Sequence, residues 1–168
     1  MLTAGGRSRR SIVVSVLALG ALLLACAPAA AHVEPDPNRV EPGDAVTVAF
    51  LVTHGCDESP TVKLTFKIPK GGTDVAPEDK DGWEAAKKGK TVVFEGGPLD
   101  TDTEDSFAIG FTAPNKKTLL VWKVVQKCED GVIRWIDTSE GAEESPPVVG
   151  VGKDAPEEHG EEAEETGH

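Results

Sequence analysis

The chain has 168 residues, a length that fits one domain with short appendages. Its 29 Asp and Glu against 17 Lys and Arg give a formal net charge of -12, which argues against attraction to nucleic-acid phosphates and so against nucleic acid as a partner. Aromatic residues make up only 5%, alongside 18 Gly and 12 Pro, so a loop-rich β domain with a small core is expected rather than a helical bundle.

Residues 1–31 read as an export signal. Arg7, Arg9 and Arg10 form a positive start, and Ile12 to Ala25 form an apolar stretch broken by Gly20 and followed by Pro28, too interrupted for a permanent membrane anchor. Ala29-Ala30-Ala31 offers small residues before a cut that releases a chain beginning His32-Val33-Glu34-Pro35. Leu23-Leu24-Ala25-Cys26 is the competing signal, a lipoprotein box that makes lipidated Cys26 the first residue and ties the protein to a membrane. The Ala-rich cut is favoured. It leaves Cys56 and Cys128, an even count in an exported chain, and so predicts one disulfide between them. That bridge closes a loop of about 70 residues, worth about 4 kcal/mol in the chain-entropy model.

Val46 to Val52 is a β-rich run opened by the turn signal Glu41-Pro42-Gly43-Asp44, and is read as a buried strand. Thr61 to Ile68 alternates, with Val62, Leu64, Phe66 and Ile68 on one face and Lys63, Thr65 and Lys67 on the other. Val75 to Trp83 reads as a loop or short extended piece, and Thr91 to Phe94 as a short strand. Ser106 to Ala113 alternates again through Phe107, Ile109 and Phe111. Leu119 to Cys128 reads as one long strand, paired through the turn Glu129-Asp130-Gly131 with Val132 to Asp137. About six or seven strands with no amphipathic helix predict an all-β, immunoglobulin-like antiparallel β-sandwich. Trp83 and Trp122 are assigned to packing, although Trp122 fits an outward position equally well. Beyond Ser139 the composition shifts to Glu, Gly, Pro and Ala, and residues 152–168 read as a disordered acidic tail.

Four histidines are present: His32, His54, His159 and His168. The last two fall in the tail. After cleavage His32 carries both an α-amine and an imidazole, two neutral nitrogen donors on one residue, and nitrogen-rich sites favour Cu(II). No nucleophile with a base and an orienting partner is evident, no glycine loop cradles phosphate, and Asp79 and Asp81 fall in a solvated loop, so the protein is not expected to be an enzyme.

The stretch Ala31-His32-Val33, then Val52-Thr53-His54-Gly55-Cys56, Ser59-Pro60-Thr61 and Ile68-Pro69-Lys70-Gly71 resembles the YcnI-like domain. Gly82-Trp83, Gly96-Gly97-Pro98-Leu99, Gln126-Lys127-Cys128 and Ile133-Arg134-Trp135 follow in the order of that family, so the resemblance spans residues 32–151. It implies a copper-binding β-sandwich of the bacterial envelope, partnered with copper-import or copper-handling proteins. Its implied site is a single-histidine brace, with His32 as amine and ring donor and Trp135 beside the metal. The family's carboxylate ligand has no counterpart in Thr53-His54-Gly55-Cys56. His54 is expected to take its place, with Asp57, Glu58 and Glu34 as alternatives. The resulting expectation is an exported Cu(II) chaperone or delivery module. The competing expectation is an envelope adhesion or docking module with no specific metal.

Overall fold

The computed structural model describes residues 32–154. The segment read as an export signal, with Cys26, and the acidic stretch from residue 155 with His159 and His168, lie outside the described residues. Twelve strands and no helix occur within them: β1 (Val33–Asp36), β2 (Arg39–Val40), β3 (Ala45–Val52), β4 (Thr61–Lys67), β5 (Thr73–Pro77), β6 (Trp83–Lys88), β7 (Thr91–Leu99), β8 (Asp105–Thr112), β9 (Thr118–Val121), β10 (Lys123–Cys128), β11 (Val132–Trp135) and β12 (Val148–Val151).

Alternation makes the two main layers. In β8, Phe107, Ile109 and Phe111 turn inward, opposite Val48 and Phe50 of β3, while Leu64 and Phe66 of β4 and Val92 and Phe94 of β7 face them from the other sheet. The first sheet has the order β1-β3-β8-β5 and the second β11-β10-β4-β7-β6. Aromatic rings bridge them, Phe50 to Phe66 at 5.0 Å and Phe94 to Phe107 at 5.3 Å between centroids. Such pairs add roughly 0.5–1.5 kcal/mol each to their area burial. A third sheet, β2-β12-β9, supplies Val40, Leu120, Val149 and Val151 to the same core, and β2 runs parallel to β12 within it.

The hairpin expected at Glu129-Asp130-Gly131 forms, with Gly131 at φ 97° and β10 paired to β11 from Val124↔Trp135 to Lys127↔Val132. Several expectations need correction. The run from Leu119 to Cys128 is two strands in two sheets, broken at Trp122, whose N–H donates to the Pro147 carbonyl at 2.9 Å. Trp122 itself is fully buried and packs on Phe50 and Phe111, so the outward alternative falls. The stretch from Val75 to Trp83 contains the end of β5 and the first residue of β6, while β1, β2, β6 and β12 add strands beyond those expected.

Within β4 the expected face breaks at its start. The pairing with β7 shifts register between Thr61 and Lys63. A bulge of this kind re-aims side chains, and here Thr61 is fully buried whereas Val62 is only half-buried.

Candidate metal centre

β1 is an outer strand of the first sheet, paired with β3 so that Val33 lies opposite Val52. His32 stands one residue before that pair and is half-buried. β11 is an outer strand of the second sheet and ends at Trp135. The open sides of the two sheets meet here: the His32 and Trp135 rings lie 6.3 Å apart between centroids, tilted by 39°. Residues separated by most of the domain are thus brought together by sheet topology.

Trp135 is held from behind. Its Nε1–H donates to Oε1 of Gln126 at 3.0 Å, and Nε2 of Gln126 donates to the His54 carbonyl at 2.7 Å and to Thr61 Oγ1 at 2.8 Å. Thr61 and Gln126 are the two polar side chains buried in the core of the described residues, and both belong to this network. Because a buried amide left half-paired costs roughly 1–3 kcal/mol, the full set of bonds fixes which way the Gln126 amide points. The Trp135 N–H is therefore committed to Gln126, and toward His32 the indole offers its ring.

The expected disulfide joins Cys56 to Cys128, with Cα atoms 5.9 Å apart. It pins the segment after β3 to the end of β10, and Thr61 Oγ1 lies 3.7 Å from Cys128 Sγ. His54 stands two residues before the bridge. Its Nδ1–H donates to the Gly55 carbonyl at 2.6 Å, which leaves Nε2 as its donor atom for a metal. Asp57 and Glu58 are exposed in a turn closed by Cys56 N–H to Ser59 O at 3.0 Å and Ser59 N–H to Cys56 O at 2.9 Å. Glu34 is exposed on β1. Among the described residues no group of three or more His, Cys, Asp or Glu side chains is arranged to hold a metal ion. Gln126 and Thr61 were not singled out as site residues. Beyond their places in the motifs Ser59-Pro60-Thr61 and Gln126-Lys127-Cys128, the hint of them was a Gln placed between inward-facing Val124 and Cys128, where an apolar side chain is the norm.

His32 also lines a groove of about 580 Å³ between the outward face of β9 and β12 and the loop that joins β11 to β12. Leu119, Val121 and Val148 form apolar wall, and Asp137, Glu140 and Glu143 stand along the loop. The Ser139 hydroxyl donates to Asp137 Oδ1 at 2.7 Å and the Ser139 N–H at 2.9 Å, which together hold the Asp137 carboxyl below the ordinary carboxylate range.

Comparison with known proteins bears on the fold and the family. The family described as "Domain of unknown function (DUF1775)", the YcnI-like domain, matches over residues 32–92 and 85–151. An uncharacterized protein from Nocardia farcinica, whose crystal structure reveals an immunoglobulin-like fold, superimposes with a TM-score of 0.59 at 19% identity, covering 71% of this chain and 97% of that one. At that identity the likeness establishes the fold, an immunoglobulin-like sandwich. The seventh ScaB type I cohesin from Pseudobacteroides cellulosolvens gives a TM-score of 0.41 at 15% identity over 73% of this chain and 92% of that one, too slight a likeness to carry an argument. A search of curated proteins finds no match.

Proposed function

We propose that this chain, which belongs to the DUF1775 family, is an exported copper(II)-binding protein of the cell envelope that carries or delivers the metal at the first residue of its processed form. The observation that carries this reading is His32 against Trp135, at the meeting of the two sheets' outer strands. An imidazole and an α-amine on one residue form a chelate without help from a distant side chain, and planar nitrogen sites favour Cu(II) over its neighbours in the first-row series. Copper held there would be cargo, with His32 supplying the nitrogen donors. Trp135 closes one side with its ring, Gln126 keeps that ring in place, and His54 Nε2 is the first candidate for a further donor.

Processing decides whether the amine exists. Intact-mass measurement of protein recovered from its native envelope is expected to give a chain that begins at His32, and a lipidated chain from Cys26 would bury His32 in the sequence and remove the site. Protein starting at His32 should then be titrated with Cu(II) beside a form with one residue prepended, which keeps the ring and removes its amine. The prepended form is expected to bind more than about 100-fold more weakly, beyond the roughly 10–100-fold that loss of an outer partner usually costs. Quenching of indole fluorescence on copper addition that is lost in Trp135→Phe, which keeps Trp83 and Trp122, reports the same site. Equal affinity in the two forms would sink the brace and favour a docking module without specific metal. In the same titration His54→Ala separates His54 from Asp57, Glu58 and Glu34 as the further ligand.

A further inference from the structure

The groove beside His32 has a chemistry of its own. Val121 and Val148 are cross-strand partners in the pairing of β9 with β12, and Leu119 lies two residues along from Val121 with Leu120 between them turned into the core. Period-two alternation therefore puts Leu119, Val121 and Val148 on one outward face, an apolar floor. Over that floor the loop presents Asp137, Glu140 and Glu143, all exposed, and neither Lys nor Arg lines the groove. Ile136, one of two exposed large hydrophobics among the described residues, immediately precedes Asp137.

Charge selects the occupant. A second copy of this chain brings a net charge of -12 against the same charge. Residues 155–168 of the chain carry six Glu and no Lys or Arg, and are repelled from the rim. An anionic lipid surface or a nucleic acid is disfavoured for the same reason. What complements an apolar floor under three carboxylates is an extended segment with Lys or Arg beside apolar side chains, whose stems cover the floor while their charges meet the rim.

We propose that this groove is the docking site for a basic, extended segment of a partner protein. The docking surface stands on geometry and charge alone. Its consequence, that the segment arrives beside the copper ligand and so marks where metal passes between proteins, rests on the copper reading.

The test uses isotope-labelled, metal-free protein beginning at His32, so that it succeeds or fails independently of copper titration. The probe is a blocked heptapeptide alternating Lys and Val, with a Glu–Val counterpart and spermine as controls, at physiological ionic strength, where surface charges are screened beyond about 8 Å. Saturable amide shifts are expected at Leu119, Val121 and Val148 with the Lys–Val peptide, not with the Glu–Val peptide, and more weakly with spermine. Glu140→Lys combined with Glu143→Lys, both at exposed positions, should weaken the Lys–Val peptide about tenfold or more, as loss and reversal of rim charges does. Shifts scattered over the surface without saturation, spermine binding as tightly as the peptide, or an unaffected double variant would each overturn the proposal.

Discussion

Two buried tryptophans show how much depends on what an indole N–H meets. Trp135 donates to Gln126, whereas Trp122, packed between Phe50 and Phe111, finds no protein acceptor for its Nε1 among the described residues. Replacing Trp135 with Phe strands the buried Gln126 Oε1, and a loss of roughly 2–4 kcal/mol is expected from the unpaired amide plus the missing ring volume. Trp122→Phe strands no protein group and should cost about 1–2 kcal/mol. Urea unfolding of both variants decides it. A Trp122 variant as costly as the Trp135 variant would mean that the Gln126 bond contributes little. At this scale the sequence was partly legible. His32 stood out by chemistry and Trp135 by resemblance, but Gln126 was hidden because its role depends on a partner nine residues away and on a bulge that turns Thr61 inward.

Among the elements, the hairpin of β6 and β7 contains glycines at positive φ that differ in what surrounds them. Gly97 holds φ +79°, and a Cβ there would lie 2.6 Å from Cζ2 of Trp83 and 2.8 Å from the Leu99 nitrogen, so the residue both turns the strand and makes room for the indole. Gly97→Ala is expected to cost roughly 3 kcal/mol, combining left-handed strain with a clash against backbone. Gly89 is the control: its φ is +63° but nothing stands within 4 Å of a Cβ, so Gly89→Ala should lose only about 1 kcal/mol. A matched fall in thermal stability for the two variants would show that backbone strain alone matters and that Trp83 moves freely. The strands most legible in the sequence, β3, β4 and β8, lie inside the two main sheets, where one face is buried and apolar residues alternate. β1, β2 and β6 were missed because each lies on the outside of its sheet. Outer strands carry polar and charged residues that blunt unwanted pairing, as Lys87 and Lys88 do on β6, and this erases the period-two pattern. β12 is the exception. It is central in its sheet, yet it is a four-residue run with a Gly, preceded by Pro146-Pro147 and embedded in acidic sequence, so composition concealed it.

For the molecule as a whole, the Cys56–Cys128 bridge is the covalent link between the segment leaving β3 in one sheet and the end of β10 in the other. Cysteine parity made it legible, whereas the meeting of His32 with Trp135 was expected only through the family resemblance, because no local pattern reports contact between the outer strands of two different sheets. The bridge spans a sequence separation of 72 residues, so cross-linking the unfolded chain is worth about 4 kcal/mol in the entropic model. Both sulfurs sit in well-buried residues, and the Cys56 N–H donates to Cys128 Sγ at 3.0 Å, so replacement also disturbs the packing that supports Thr61 and Gln126. Cys56→Ala with Cys128→Ala is therefore expected to lower unfolding stability by about 4 kcal/mol in denaturant. Most of that effect originates in a freer unfolded chain, so the native Trp135 environment should change little where the variant remains folded. A loss below about 1 kcal/mol would place the protein's stability in the sandwich core alone. A large loss accompanied by an altered indole signal under native conditions would instead show that the bridge acts by holding the Gln126 network, and with it the ring that faces His32.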